Sequence, residues 1–332
     1  MSATTPEQCP LSLGLWGGNG HQIHNQLNEY PRLNLVAFGA FRPDVAATLR
    51  EAYPEAVECA TYEELLAVPG LAFVSLCSPL RSEQADHAIA ALEAGIHVYA
   101  EKPCATAEAD LDRILATAAA SSATFHEMAG TVCEQPYWAM RKIVADGTIG
   151  TVVQILAQKS YPYYAGRPVS EAVDGGLVAQ NGVHALRFVE QIGGARAVSI
   201  DAVQTRLGDE RPGSDLKMAT SMIGRLENGG VFSVVANYLN PPGFGSWGNE
   251  MVRVFGTKGM LESVDGGTRT HLVVGDKDLG AVDASEAGPD WLSCVIAHAV
   301  DGLPMPFDLE TELHPTRMVL KAKVAAEKKG TF

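Results

Sequence analysis

The chain has 332 residues, 46% of them apolar and 19% charged, with a formal net charge of −14. That length accommodates two domains of ordinary globular composition, and the acidic balance argues against a nucleic-acid binder, whose phosphate contacts need a basic face. No run approaches the ~20 apolar residues of a membrane span, no basic patch precedes an apolar run near Met1, and the six cysteines form no C-x-x-C pair, so the expectation is a cytoplasmic protein with reduced thiols and no membrane partner.

Residues 1–127 read as alternating strand and helix. Short apolar runs begin at Leu11, Leu33, Leu71 and His97, with a weaker one at Thr124. Their length and flanking glycines favour parallel strands. Between them, Ile23, Leu27 and Tyr30 recur at helical spacing until Pro31. Ser82 is the expected N-cap of a second helix that Gly95 closes, and Thr106 of a third. This alternation predicts an α/β, doubly wound parallel sheet of the Rossmann type.

Beyond Gly150 the strand-like runs lengthen and lose their intervening helices, which predicts a mainly antiparallel sheet in an α+β second domain. Asn228-Gly229 between two runs is a hairpin signal. One helix is expected early, from His184 to Gly193. The C-terminal stretch turns helical again, with Pro315 expected to kink or break its last helix. The domains are placed at 1–127 and 128–332, with the final helices packing back on the first.

The loop after the first strand holds Gly17, Gly18 and Gly20, whose backbone could approach a pyrophosphate. In the best register, Gly18-Asn19-Gly20-His21, the third fingerprint glycine is replaced by Ile23. After the second strand, where an NAD enzyme places an acid for the ribose 2′-OH, stand Ala40, Phe41 and Arg42. Without a carboxylate there, and with an arginine, the chemistry leans to NADP, with NAD as the alternative.

The segment from Ser78 and Pro79 through "ALEAGIHVYAEKP" to Pro103, together with "DGGLVAQNGVHALRF" from Asp174 to Phe188, resembles the Gfo/Idh/MocA oxidoreductases. The resemblance implies a Rossmann domain, an open-faced second sheet, and an active site between them. It implies that Lys102 contacts the substrate hydroxyl near the nicotinamide, that Glu101 neighbours the nicotinamide ribose, and that His184 is the acid/base. Two departures stand out besides the missing glycine. Gln180 occupies the place of an acid four residues before the histidine, and Glu83 a place often held by histidine.

Oxidising a secondary alcohol needs a base for the hydroxyl proton and a group that stabilises the developing alkoxide, which suits an imidazole and an ammonium. Adjacent strand residues face opposite ways, so a Glu101–Lys102 ion pair is not expected. Gln180 can hydrogen-bond His184 but cannot orient it with charge. "KSYPYY", from Lys159 to Tyr164, offers aromatic faces to a sugar or to an interface. Tyr163 and Asn181 are the candidate substrate contacts. "FHEMAG" lacks the second histidine of a zinc-protease motif, and no metal is expected.

The combined expectation is an NAD(P)-dependent oxidoreductase of a sugar, polyol or related cyclic alcohol, assembling as a homodimer or homotetramer. The alternatives are a glycoside-cleaving enzyme that oxidises its substrate transiently and a non-enzymatic cofactor sensor.

Overall fold

The computed structural model describes residues 10–164 and 166–330. The first domain carries β1 (Leu11–Trp16), β2 (Leu33–Gly39), α1 (Pro43–Ala52), β3 (Val57–Cys59), α2 (Tyr62–Leu66), β4 (Phe73–Leu76), α3 (Gln84–Glu93), β5 (His97–Glu101), α4 (Glu108–Ala120) and β6 (Phe125–Met128). Its sheet runs β3-β2-β1-β4-β5-β6, every pair parallel. Central strands must be apolar on both faces, and Phe73, Val74 and Leu76 of β4 are fully buried. The order reverses between β1 and β4, which opens a crevice at the carboxyl ends of the strands.

The second domain begins with α5 (Tyr137–Ala145) and β7 (Val152–Ser160), then α6 (Gly176–Gln180) and α7 (Gly182–Arg187). Strands β8 (Ala197–Thr205), β9 (Ala219–Leu226), β10 (Val231–Asn237), β11 (Asn249–Gly256), β12 (Gly259–Val264), β13 (Arg269–Val274) and β14 (Lys277–Gly280) follow. They form an eight-stranded sheet, β14-β13-β12-β11-β7-β10-β9-β8. Only β7 and β10 pair in parallel, because the chain leaves the sheet after β7 to build α6 and α7. The expected hairpin joins β9 to β10, with Gly229 at φ +88°. One face packs on helices. The other exposes Val203, Ile223, Val231 and Val235.

Helices α8 (Trp291–Asp301) and α9 (Leu309–Lys328) return to the first domain. Trp291 Nε1 donates to the Glu127 carbonyl at 2.9 Å, and Glu312 takes the Glu127 N–H at 2.6 Å while pairing with His126 at 2.8 Å.

Four local expectations are corrected. The helix expected over Ile23–Tyr30 is two 3₁₀ turns, Ile23–Asn25 and Leu27–Glu29. Poor helix formers (His24, Asn25, Asn28) supply little propensity there, and the Gln22 side chain is drawn into the sheet edge, donating to Gly17 and Ser75 carbonyls at 2.9 and 3.1 Å. Ser82 lies inside a 3₁₀ turn and α3 starts two residues later; Ala107, not Thr106, is the N-cap of α4. Helix α9 runs unbroken through Pro315. A proline frees the carbonyl four residues back, and the Gln191 side chain donates to that carbonyl, Thr311, at 3.4 Å. The helix expected from His184 to Gly193 is present, as α7 continued by a π-helical stretch, Phe188–Ile192. The short edge strand β3 was not anticipated.

Candidate active site

The carboxyl ends of β5 and β6 face the end of β7 across a cleft of about 770 Å³, lined by His21, Thr131, Lys159, Tyr161, His184 and Glu250 among others. On the first-domain side, Glu101 ends β5 and is almost fully buried. Its carboxylate accepts from the His21 backbone at 2.9 Å and meets His21 Nδ1 at 3.0 Å. Lys102 Nζ lies 3.8 Å away, so the chain bends enough after β5 for the two neighbours to pair, contrary to the strand alternation. Burial opposes the carboxylate's charge, yet His21, Lys102 and Arg81 hold its pKa down to about 2.

Lys102 is wholly buried and donates to the Gln180 carbonyl at 2.9 Å. Burial lowers its pKa to about 8 against the pull of Glu101 and Asp174. The second domain reaches this turn because Gly175, at φ +94°, lies against Pro103; a Cβ there would sit 3.0 Å from the proline ring. From that anchor α6 and α7 carry His184 to the cleft. Its Nδ1 is 3.4 Å from Thr131 Oγ1, and its Nε2 is buried without a partner among the described residues. Burial, then Lys102 and Lys159, push its pKa well below the ordinary value, so the ring is neutral at neutral pH. The Tyr161 ring meets it edge-on at 6.2 Å.

Three expected site residues stand elsewhere. The Gln180 side chain accepts from Tyr238 at 3.4 Å, while His184 takes Thr131 as its neighbour. Asn181 is fully buried and donates to the Asn237 carbonyl at 3.0 Å, tying the α6–α7 junction to β10. Tyr163 turns to Asp209, at 3.4 Å, under the Arg211 guanidinium. Tyr161 takes the cleft position instead. Lys159 and Glu250, also in the cleft, were not singled out. The i, i+2 spacing of Lys159 and Tyr161 places both on one face of β7 and its extension, a signal available in the sequence. The register that sets Glu250 opposite Lys159 was not.

The crevice edge fits a dinucleotide in position and room. Gly18, Gly20 and Ala40 are exposed, and Phe41, Pro79 and Leu80 flank them. Phe41 packs on His24 and lies 3.3 Å from where a Gly18 Cβ would be. A Cβ on Gly20 would strike the Glu101 carboxyl at 2.6 Å. The anchoring differs from the fingerprint. The N–H groups of Asn19, Gly20 and His21 already donate to Cys77, Gly18 and Glu101. The Asn19 side chain is spent on Val173 and Pro79 carbonyls at 2.7 and 3.2 Å, and Ser78 on His87 at 2.9 Å. With a 3₁₀ turn in place of a helix, the macrodipole at this point is weak. Arg42 is exposed, and its guanidinium pairs with Asp44 at 3.4 Å. No cluster that could hold a metal is found among the described residues, and no helix there is long and apolar enough to cross a membrane.

Residues 13–128 match the oxidoreductase family with an NAD-binding Rossmann fold, and residues 137–262 match the GFO/IDH/MocA C-terminal domain. No curated protein matches the sequence. Among solved structures, the WlbA dehydrogenase from Chromobacterium violaceum, in complex with NADH and UDP-GlcNAcA, superposes with a TM-score of 0.83 at 17% identity, covering 99% of this chain and 97% of that one. An oxidoreductase domain protein from Kribbella flavida gives 0.80 at 19% identity, covering 97% and 98%. The aldose-aldose oxidoreductase from Caulobacter crescentus, complexed with glycerol, gives 0.78 at 19%, covering 96% and 98%. At these identities the likeness speaks for the fold. The two matched regions take up most of the chain, in the order and at the places where the parallel sheet and the open sheet are found, and the chain belongs to the GFO/IDH/MocA oxidoreductase family.

Proposed function

We propose that the protein transfers a hydride between a nicotinamide dinucleotide and a secondary hydroxyl of a sugar, polyol or related cyclic alcohol. The observation that carries this reading is His184: a neutral imidazole with an unpartnered buried Nε2, facing a cleft at the strand ends where the family's Rossmann domain binds its dinucleotide. The dinucleotide supplies the hydride acceptor. Gly18 and Gly20 give it room, and the ribose next to the nicotinamide is assigned to Glu101, at the end of β5. His184 Nε2 takes the hydroxyl proton. Lys102, sealed behind Tyr161, holds the Gln180 carbonyl and so positions the turn that carries His184. Neighbours of this fold were solved with glycerol and with a nucleotide sugar, which supports a hydroxyl-rich small molecule. The test is to incubate the protein with NAD or NADP and a panel of neutral aldoses and cyclic polyols, following reduced nicotinamide by absorbance. Turnover with at least one member is expected; none with any member contradicts the reading.

For the dinucleotide, an exposed Arg42 and the absence of a carboxylate at Ala40 support tighter binding of NADPH than of NADH. Fluorescence titration should show R42A weakening NADPH about tenfold, the loss of one charge-assisted phosphate contact, with NADH nearly unchanged. D44A, by freeing Arg42 from its partner, should tighten NADPH. Equal affinities in the wild type would refute the selectivity and leave the fold untouched.

The outer face of the second sheet carries exposed Val203, Ile223, Val231 and Val235. Apolar surface of that kind is usually covered by a partner, and we expect a homodimer or homotetramer. Light scattering at micromolar concentration should show it, and I223K should shift the population towards monomer. A wild-type protein that scatters as a monomer would count against it.

A further inference from the structure

Lys102, Lys159, Arg167 and His184 surround the Tyr161 ring, all of them largely buried, and of these Lys159 and His184 line the cleft. Lys102 Nζ is 5.9 Å from the ring centroid, fully buried, and committed to the Gln180 carbonyl and Glu101. His184 meets the ring edge-on. Lys159 Nζ is 4.8 Å from the centroid and, unlike Lys102, lines the cleft. The β7–β11 register sets Lys159 directly opposite Glu250, and the two form a cross-strand ion pair on the cleft side of the sheet. An ammonium has three N–H donors. Glu250 takes one, and no other hydrogen-bond acceptor meets Lys159 Nζ among the described residues. The remaining donors sit on a side chain fixed by this pair between β7 and β11, around the same Tyr161 ring as the histidine that takes the proton.

We propose that Lys159 is a catalytic residue of this site: its ammonium, supplied by the second domain and not by the AEKP turn, hydrogen-bonds the substrate oxygen that reacts. The proposal rests on the hydride-transfer reading above. In the oxidative direction the O–H bond breaks and its proton goes to His184. The carbinol C–H bond breaks and its electron pair goes with hydrogen to the oxidised dinucleotide, leaving C=O. The oxygen carries growing negative charge as the proton departs, and a fixed ammonium in a desolvated cleft stabilises that charge more than it stabilises the neutral alcohol. Burial, then Lys102, bring the Lys159 pKa down to about 7, with the Glu134 carboxylate pulling the other way. A donor so close to neutrality is a strong one for an alkoxide-like oxygen.

Two measurements test this. Competitive acetylation with acetic anhydride, read by peptide mass spectrometry, needs no substrate. At near-neutral pH Lys159 should react about tenfold or more faster than the sealed Lys102; faster modification of Lys102 overturns the proposal. Turnover is then compared for wild type, K159M, K102M and K159M/E250Q on a panel member the wild type oxidises. K159M should lower kcat about a hundredfold, with the NADPH dissociation constant unchanged. The double variant, which removes the stranded carboxylate, should be as slow. Recovery of wild-type turnover in K159M/E250Q would mean that Lys159 only neutralises Glu250, and the proposal falls. It also falls if K159M keeps wild-type turnover while a stably folded K102M is inactive. A wild type that moves no hydride with any panel member overturns the hydride-transfer reading itself, an outcome separate from a defect confined to the variants.

Discussion

Replacing His184 with alanine should lower kcat by about 10²–10⁴-fold while leaving dinucleotide affinity nearly unchanged. The imidazole faces the cleft and not the glycine loop, so its loss removes a proton acceptor without touching the crevice edge. The pH dependence follows from its surroundings. Burial and the cations Lys102, Lys159 and Arg187 disfavour the imidazolium. The acidic limb of the rate profile should therefore lie below the ordinary histidine value, and activity should persist through mildly acidic pH. The same shift has a sign for stability. Below about pH 6.5 the unfolded chain gains a proton at His184 that the folded chain refuses, so this contribution is present above that pH and is lost as pH falls from there through the lowered folded value. H184A should flatten that part of the stability profile. Q180D should leave the acidic limb of the rate in place, because the Gln180 side chain points to Tyr238 and not to His184. Wild-type turnover in H184A would make another group the base, with Tyr161 the next to examine.

The largest stability effect is expected at Glu127. It is completely buried at the end of β6 and accepts from the Cys104 backbone at 2.6 Å and Thr316 Oγ1 at 2.8 Å, while pairing with Arg187. One carboxylate thus joins β6, the β5–α4 loop, α7 and α9. E127A strands the Arg187 guanidinium, itself almost fully buried, and should cost about 3–5 kcal/mol. E127M/R187M, which removes both charges at similar volume, should cost less than E127A alone. Urea unfolding of the variants measures this directly. A double variant no more stable than E127A would show that the hydrogen bonds to Cys104 and Thr316 matter more than the stranded charge.

The fold was legible where a local rule decides the outcome. Short apolar runs from Leu11, Leu71 and His97 became parallel strands because burial on both faces leaves no other use for them. Asn228-Gly229 became a hairpin because glycine takes the turn's positive φ at no steric cost. The reading failed where tertiary contacts override spacing. Ile23, Leu27 and Tyr30 keep helical spacing, yet Gln22 is pulled into the β1–β4 edge and the helix does not form. Pro315 sits inside a helix because Gln191, 120 residues or more away in sequence, meets the carbonyl it frees. In the site, the segments carrying Glu101, Lys102 and His184 were visible as sequence patterns, and the structure brings all three to one region. Which residues share the cleft with them was not visible. Tyr161 was one of three tyrosines, marked in the sequence only by its i, i+2 spacing from Lys159, and Glu250 becomes the partner of Lys159 only through the pairing of β7 with β11. Asn181 lies between two candidates in sequence, yet the turn between α6 and α7 directs it into the core.

The central claim is that a hydride leaves a carbinol carbon held in the cleft beside His184. Its most direct test uses a panel substrate deuterated at the oxidised carbon, with the nicotinamide recovered and analysed by mass spectrometry. One deuterium on the nicotinamide per product formed, accumulating about 10²–10⁴-fold more slowly with H184A, is the predicted result. Product formed with no label on the nicotinamide, or label transferred equally well by H184A, would contradict the account.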